Sequence, residues 1–244
     1  MTPETVNEKE IRTSWNGLCR IGGIAALLLL IYSLATMVQM IVLGGQPTSA
    51  AQAFDLLQHH RVVGLLRLDL PTVALLPLYY LLFLGLFAAL RASDYVNSLL
   101  STALAFVGTT LVLATPTALS MIPLSDKFAA ATSDAARNQL LAAGEAIMAA
   151  DIWHSTGAIL GGVLLQCGAV LISVAMLRGD IFNKATALLG IVMHALDLAH
   201  ILGGLFLPVS GLILMAIAGP LYPIWFLLVA LRLLKLASGH THEH

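Results

Sequence analysis

The chain has 244 residues, 59% of them hydrophobic and 10% charged, with a net charge of −1 and a mean hydropathy of +0.90. A soluble domain carries about 25% charged residues, so this composition excludes a water-facing globular surface. The near-zero charge also excludes the basic face that nucleic-acid binding needs. Two cysteines, Cys19 and Cys167, lie far apart and define no disulfide framework.

Residues 1–20 are polar, and the apolar run after them is too long for the core of a signal peptide. They read as a cytoplasmic segment before a retained first span. About 20 apolar residues are needed to cross the hydrocarbon as a helix. Runs of that kind fall near 21–44, 62–90, 97–121, 153–177, 185–207 and 211–234. None alternates as a barrel strand would. The expected fold is therefore all-α: an integral membrane protein whose six helices form one transmembrane domain over 21–236, followed by a disordered tail, 237–244, that contains histidines.

The connections have their own signals. Residues 45–61 begin with Gly and Pro and continue as an amphipathic helix capped near Thr48 or Ser49. Residues 91–96 form a tight turn. The longest connection, 122–152, contains a helix that starts at Ser133–Asp134. Segments 178–184 and 207–211 read as short turns. Lys9, Arg12, Arg20, Arg91, Arg178, Lys184, Arg232 and Lys235 share one side of such a topology, against Arg61, Lys127 and Arg137 on the other. The excess places both termini in the cytoplasm. Connections 45–61 and 122–152 then form a helical cap on the outer face. Leu68-Asp69-Leu70 and Leu196-Asp197-Leu198 occupy the middle helices of two three-helix halves, the arrangement of an inverted repeat.

Ionisable residues inside membrane spans are costly, and by default they mark function. Here they are Arg67 and Asp69 in the second run, Asp151 and His154 at the start of the fourth, and His194, Asp197 and His200 in the fifth. Gln166 adds an amide in the fourth. With cytoplasmic termini all three helices carry these groups in the outer leaflet, and the inner halves show no continuing polar path. The seven residues are expected to form a polar pocket that opens outward. Asp197 is expected to be stabilised by Arg67 across helices and by His194 or His200 along its own. Arg67 otherwise suits an anionic headgroup or carboxylate.

His194 and His200 are too far apart along one helix to share an ion. A metal would need Asp151 and His154 from one helix with Asp197 and His200 from the next, a donor set that zinc accepts. Gly161, Gly162, Gly168, Gly203 and Gly204 would let these two helices approach closely. Pro71 and Pro77 would kink the second helix. Tyr79, Tyr80, Tyr222 and Trp225 read as interface anchors or core aromatics. His59 and His60 read as surface residues, and the tail histidines as loose metal binders at most.

The motifs Arg67-x-Asp69, Asp151-x-x-His154-Ser155 and Asp197-x-x-His200, within their apolar context from Arg20 to Leu236, resemble an uncharacterised bacterial family of multi-pass membrane proteins, a domain of unknown function. The resemblance implies a six-helix protein of the bacterial inner membrane and supplies no reaction. Three function classes follow. The first is a non-enzymatic membrane component whose pocket is structural or binds a lipid or small anion, alone, as a homo-oligomer or with a membrane partner. The second is a proton-coupled transporter. The third is a zinc-dependent hydrolase embedded in the membrane. The first is the leading expectation.

Overall fold

The computed structural model describes residues 3–115 and 118–239, with backbone alone at 3–12 and 208–212. Among the described residues every regular element is a helix. Six helical stretches are long and apolar enough to cross a membrane: Thr13–Leu43, Leu70–Leu90, Tyr95–Ala130, Thr156–Arg178, Lys184–Gly204 and Ile213–Ala237. The chain is an all-α multi-pass membrane protein. Its described residues separate into two compact units, one of 1–33, 77–109 and 162–244, the other of 34–76 and 110–161. The expected tail histidines, from His240 on, lie outside the described residues.

Helix α1 (Pro3–Leu43) runs without interruption from the polar segment into the first span. Helix α2 (Ala50–His59) starts where Ser49, extended at φ −152°, accepts a hydrogen bond from Gln52 N, satisfying one of the helix's orphan donors. The second run is broken. Helix α3 (Arg61–Arg67) ends at Leu68, α4 (Leu70–Leu75) follows, and α5 (Leu78–Leu90) completes the span. Asp69 holds the first break in the left-handed region, at φ 59°. Pro71 in the first turn of α4 and Pro77 ahead of α5 lack the N–H that would continue the ladder.

Helix α6 (Tyr95–Leu113) follows a turn organised by Asp94. The Asp94 carboxylate accepts Asn97 N at 3.3 Å, Asn97 Nδ2 at 2.8 Å and Arg178 Nη1 at 3.0 Å. The Asn97 side chain, with Arg178 behind it, holds this carboxyl below the usual carboxylate range. Helix α7 (Ala118–Ala130) covers the end of the expected third span and continues into the expected connection, and α8 (Asp134–Ala149) begins at the expected Ser133 cap. Helices α9 (Thr156–Arg178) and α10 (Lys184–Gly204) are joined by the expected polar turn, with Asn183 Oδ1 capping Thr186 N at 2.7 Å. Helices α11 (Pro208–Ala218) and α12 (Leu221–Ala237) complete the chain.

In the first unit Leu29, Leu82, Phe83, Ile172, Trp225 and Phe226 form a closed apolar core. Gly22 of α1 and Gly85 of α5 bring two backbones together there. A Cβ on Gly22 would stand 2.7 Å from Gly85 Cα. In the second unit α2, α7 and α8 assemble the expected cap around Phe54, whose ring meets Phe128 at 5.3 Å. The Glu145 carboxylate accepts Ala50 N at 2.7 Å, tying α8 to the start of α2. Gly144 leaves the space that Ala50 and Phe54 fill.

Two glycines of α1 separate packing from propensity. Gly22→Val should lower the melting temperature in detergent by several degrees, at about 1–3 kcal/mol for an overpacked contact. Gly17, with nothing within 4 Å of its Cβ position, should accept Ala without loss, gaining up to about 1 kcal/mol of helix propensity. Differential scanning fluorimetry on the two variants reads both.

Candidate functional site

The seven polar residues expected to share one pocket divide between the units. Arg67, Asp69, Asp151 and His154 belong to the second, and His194, Asp197 and His200 to the first.

In the second unit Arg67 holds backbone. Its Nε donates to Gly45 O at 2.7 Å, closing the connection that leaves α1 at Gly44, φ 84°. Gln39 Nε2 donates to Leu66 O at 2.7 Å beside it. Asp69 accepts Trp153 Nε1 at 2.7 Å and the amide of Gln46. Burial pushes its carboxyl above the usual range, the Trp153 and Gln46 hydrogen bonds pull it back, and the charge of Asp151 pushes it up again.

Asp151 Oδ1 accepts three donors: Trp153 N at 2.8 Å, His154 N at 3.0 Å and His154 Nδ1 at 2.9 Å. Ser155 Oγ accepts Ala158 N at 3.0 Å. The Asp151-x-x-His154-Ser155 motif therefore builds the entry turn of α9, a capping device. Gln46, Leu68, Met121, Met148 and Asp151 help line a cavity of about 20 Å³, the size of one water molecule. His59 and His60 are exposed, as expected.

The first unit holds the deeper cluster. Gln166 of α9, His194 and Asp197 of α10 and Tyr222 of α12 meet inside the spans. Asp197 Oδ2 accepts the Gln166 amide and, at 2.8 Å, the Tyr222 hydroxyl. Gln166 Oε1 lies 2.7 Å from His194 Nδ1. His194 is 1% exposed, and among the described residues its Nε2 has no hydrogen-bond partner. Asp197 is partly exposed, and His200, one turn on, acts on it through charge.

The expected partner of Asp197, Arg67, belongs to the other unit, where its Nε donates to Gly45 O. Within its own unit the Asp197 carboxylate accepts from two neutral groups, Gln166 and Tyr222. Gln166 carried no assigned role in the sequence, and Tyr222 read as an anchor or core aromatic. Both sit on other helices, where spacing along α10 gives no clue.

Among the described residues no three of His, Cys, Asp and Glu stand together so as to hold a metal ion. The four candidate zinc donors divide between the units, Asp151 and His154 in the second and Asp197 and His200 in the first.

Three further expectations change. Asp69 sits in a helix break and Asp197 inside a continuous helix, so the two Leu-Asp-Leu segments are not structural equivalents. The other half of α10 is not purely apolar: Ser173 Oγ and Trp225 Nε1 both crowd the Cβ position of Gly190, and Thr186 is buried near the Lys184 end. Gly162 meets Ile201 of α10, as the expected approach of the two helices requires, whereas Gly168 packs on the α6 backbone at Ser101 and Ala105.

No family model, curated protein or solved structure matches the chain.

A carboxyl raised in the folded state favours folding at pH below its unfolded value, near 3.9, and that contribution is lost as pH rises through the folded value. Asp69→Asn keeps an acceptor for Trp153 and tolerates the left-handed backbone. The variant should match or exceed the wild-type melting temperature at neutral pH and flatten its fall between acid and neutral pH. Melting curves across that range decide it; a large loss at neutral pH would show that the carboxylate charge itself stabilises the turn.

Proposed function

We propose that this chain is a non-enzymatic membrane protein whose working group is Asp197, a proton-binding carboxyl inside the spans, and that proton exchange there accompanies movement of a solute. The observation that carries this reading is the pair of neutral donors on Asp197. A carboxylate paired with arginine is held ionised. One that accepts from an amide and a phenol can exist in either protonation state, because each partner can rotate to donate or accept. Intramembrane carboxyls of this kind serve proton relays in pumps and transporters.

The acidic character of both clusters weighs against an anion or headgroup as ligand. A purely structural role is the competing reading. It is supported by Gln166, whose amide uses both ends to tie α9 to α10. Polar groups do join helices in this way. Orientation in a bacterial inner membrane with cytoplasmic termini agrees with the distribution of lysine and arginine and belongs to the proposal.

The readings separate on Asp197→Asn, which preserves shape and both contacts. In proteoliposomes enclosing a pH-sensitive dye, wild type should acidify the lumen under an inward proton gradient with potassium and valinomycin present. The variant should fall to the protein-free rate while melting within a few degrees of wild type. Equal fluxes from the two proteins would remove Asp197 as the working group and leave the network structural.

A further inference from the structure

His194 is enclosed on every side, yet its two ring nitrogens differ. When Asp197 is ionised, Gln166 turns its NH₂ to the carboxylate, so its Oε1 faces His194 Nδ1 at 2.7 Å. Nδ1 must then carry the imidazole proton, and Nε2 is left as a lone-pair acceptor. That atom is buried without a partner. Tyr222 O lies 3.4 Å from Nδ1 and 2.8 Å from Asp197 Oδ2, so it stands between the imidazole and the carboxylate.

The face of α10 beyond His194 continues this line. Gly190, one turn toward Lys184, has Ser173 Oγ and Trp225 Nε1 within 2.5 Å of its Cβ position. The indole N–H is also buried and unpartnered, and the two rings meet edge to face at 5.1 Å. One turn further, buried Thr186 joins Asn183 at the end of the helix. Positions 183, 186, 190, 194 and 197 recur every three or four residues and so share one face. Asp197 lies about 20 Å along the axis from Lys184.

We propose that His194 is a proton relay that delivers to Asp197 protons arriving from the Lys184 end of α10. This rests on the reading of Asp197 as a proton-binding group. The proton, brought by hydronium, enters at Nε2. As it binds, the Nδ1 proton passes to Tyr222 O and the Tyr222 hydroxyl proton passes to the Asp197 carboxylate. One proton has entered and one has been gained by Asp197; Tyr222 and the imidazole end neutral.

The Gln166 amide then rotates. Its NH₂ donates to the bare Nδ1, and its Oε1 accepts from the Asp197 acid. The imidazole has exchanged one tautomer for the other, and the amide turn hinders the backward step. The ionisable groups around the pathway are Asp197 and His200 on α10, Tyr222 on α12 and Tyr79 on α5, with Tyr32 of α1 beside Tyr79. Lys184 itself and Arg232, which donates to Ile181 O, stand at the entry end.

The test follows the carboxylic-acid infrared band of Asp197, identified by its loss in Asp197→Asn, after a rapid drop in pH on protein in lipid. In His194→Gln, whose amide cannot pass a proton through, the band should reach the same amplitude roughly a hundredfold more slowly, in the range a positioned acid–base group contributes. An unchanged rate overturns the relay and leaves the proton site standing. Absence of any Asp197-dependent band in wild type overturns the proton site, and the relay with it. Nitrogen-15 NMR of the wild-type histidines needs no variant to fold: His194 should change from the Nδ1–H to the Nε2–H tautomer as Asp197 protonates, and a fixed tautomer overturns the relay.

Discussion

A carboxyl inside a membrane span has no water to solvate it, so the groups that meet Asp197 decide what its helix can do. Hydrocarbon offers no hydrogen bond, and every polar atom there must find its partner within the protein. Asp197 finds two, on α9 and α12. The first unit's polar interior follows from that requirement: Gln166 can serve Asp197 with one end only if His194 serves the other. Three helices are thereby fixed in rotation about their own axes, with Trp225 and Phe226 closing the apolar layer beside them.

The second unit solves a different problem. Several of its polar residues sit where helices begin and end and meet orphaned backbone groups. Arg67 takes a carbonyl beside Gly44, Asp151 takes the amides that open α9, and Glu145 takes the first amide of α2. Residue types that suggest a binding pocket in a list of intramembrane charges are here the fastenings of a broken helix and a small cap.

Much of the architecture was legible from composition and local signals. Six apolar runs, the Ser49 and Ser133 caps and the prolines of the second run act over a few residues, and sequence displays such short-range physics directly. The same locality explains the errors. Asp151-x-x-His154-Ser155 ahead of an apolar run is also a helix-entry signature, which was the stronger reading. The partners of Asp197 come from helices some thirty residues back and twenty-five ahead in the chain. No periodicity on α10 selects Gln166 over another polar residue, and Tyr222 resembles any aromatic near a helix end. The contact of Arg67 with Gly45 O, beside a left-handed glycine, is invisible until the backbone is placed.

The account stands on one property, that Asp197 changes its protonation state inside the folded protein. Carbon-13 NMR of the aspartate side-chain carboxyls in lipid reads it directly, with the Asp197 resonance assigned by its loss in Asp197→Asn. The account predicts that this resonance moves between its acid and carboxylate positions as pH is varied over the range in which the protein stays folded, and that the Gln166 and His194 side-chain signals move with it. A resonance that stays at one position throughout, in protein that remains folded, would contradict it.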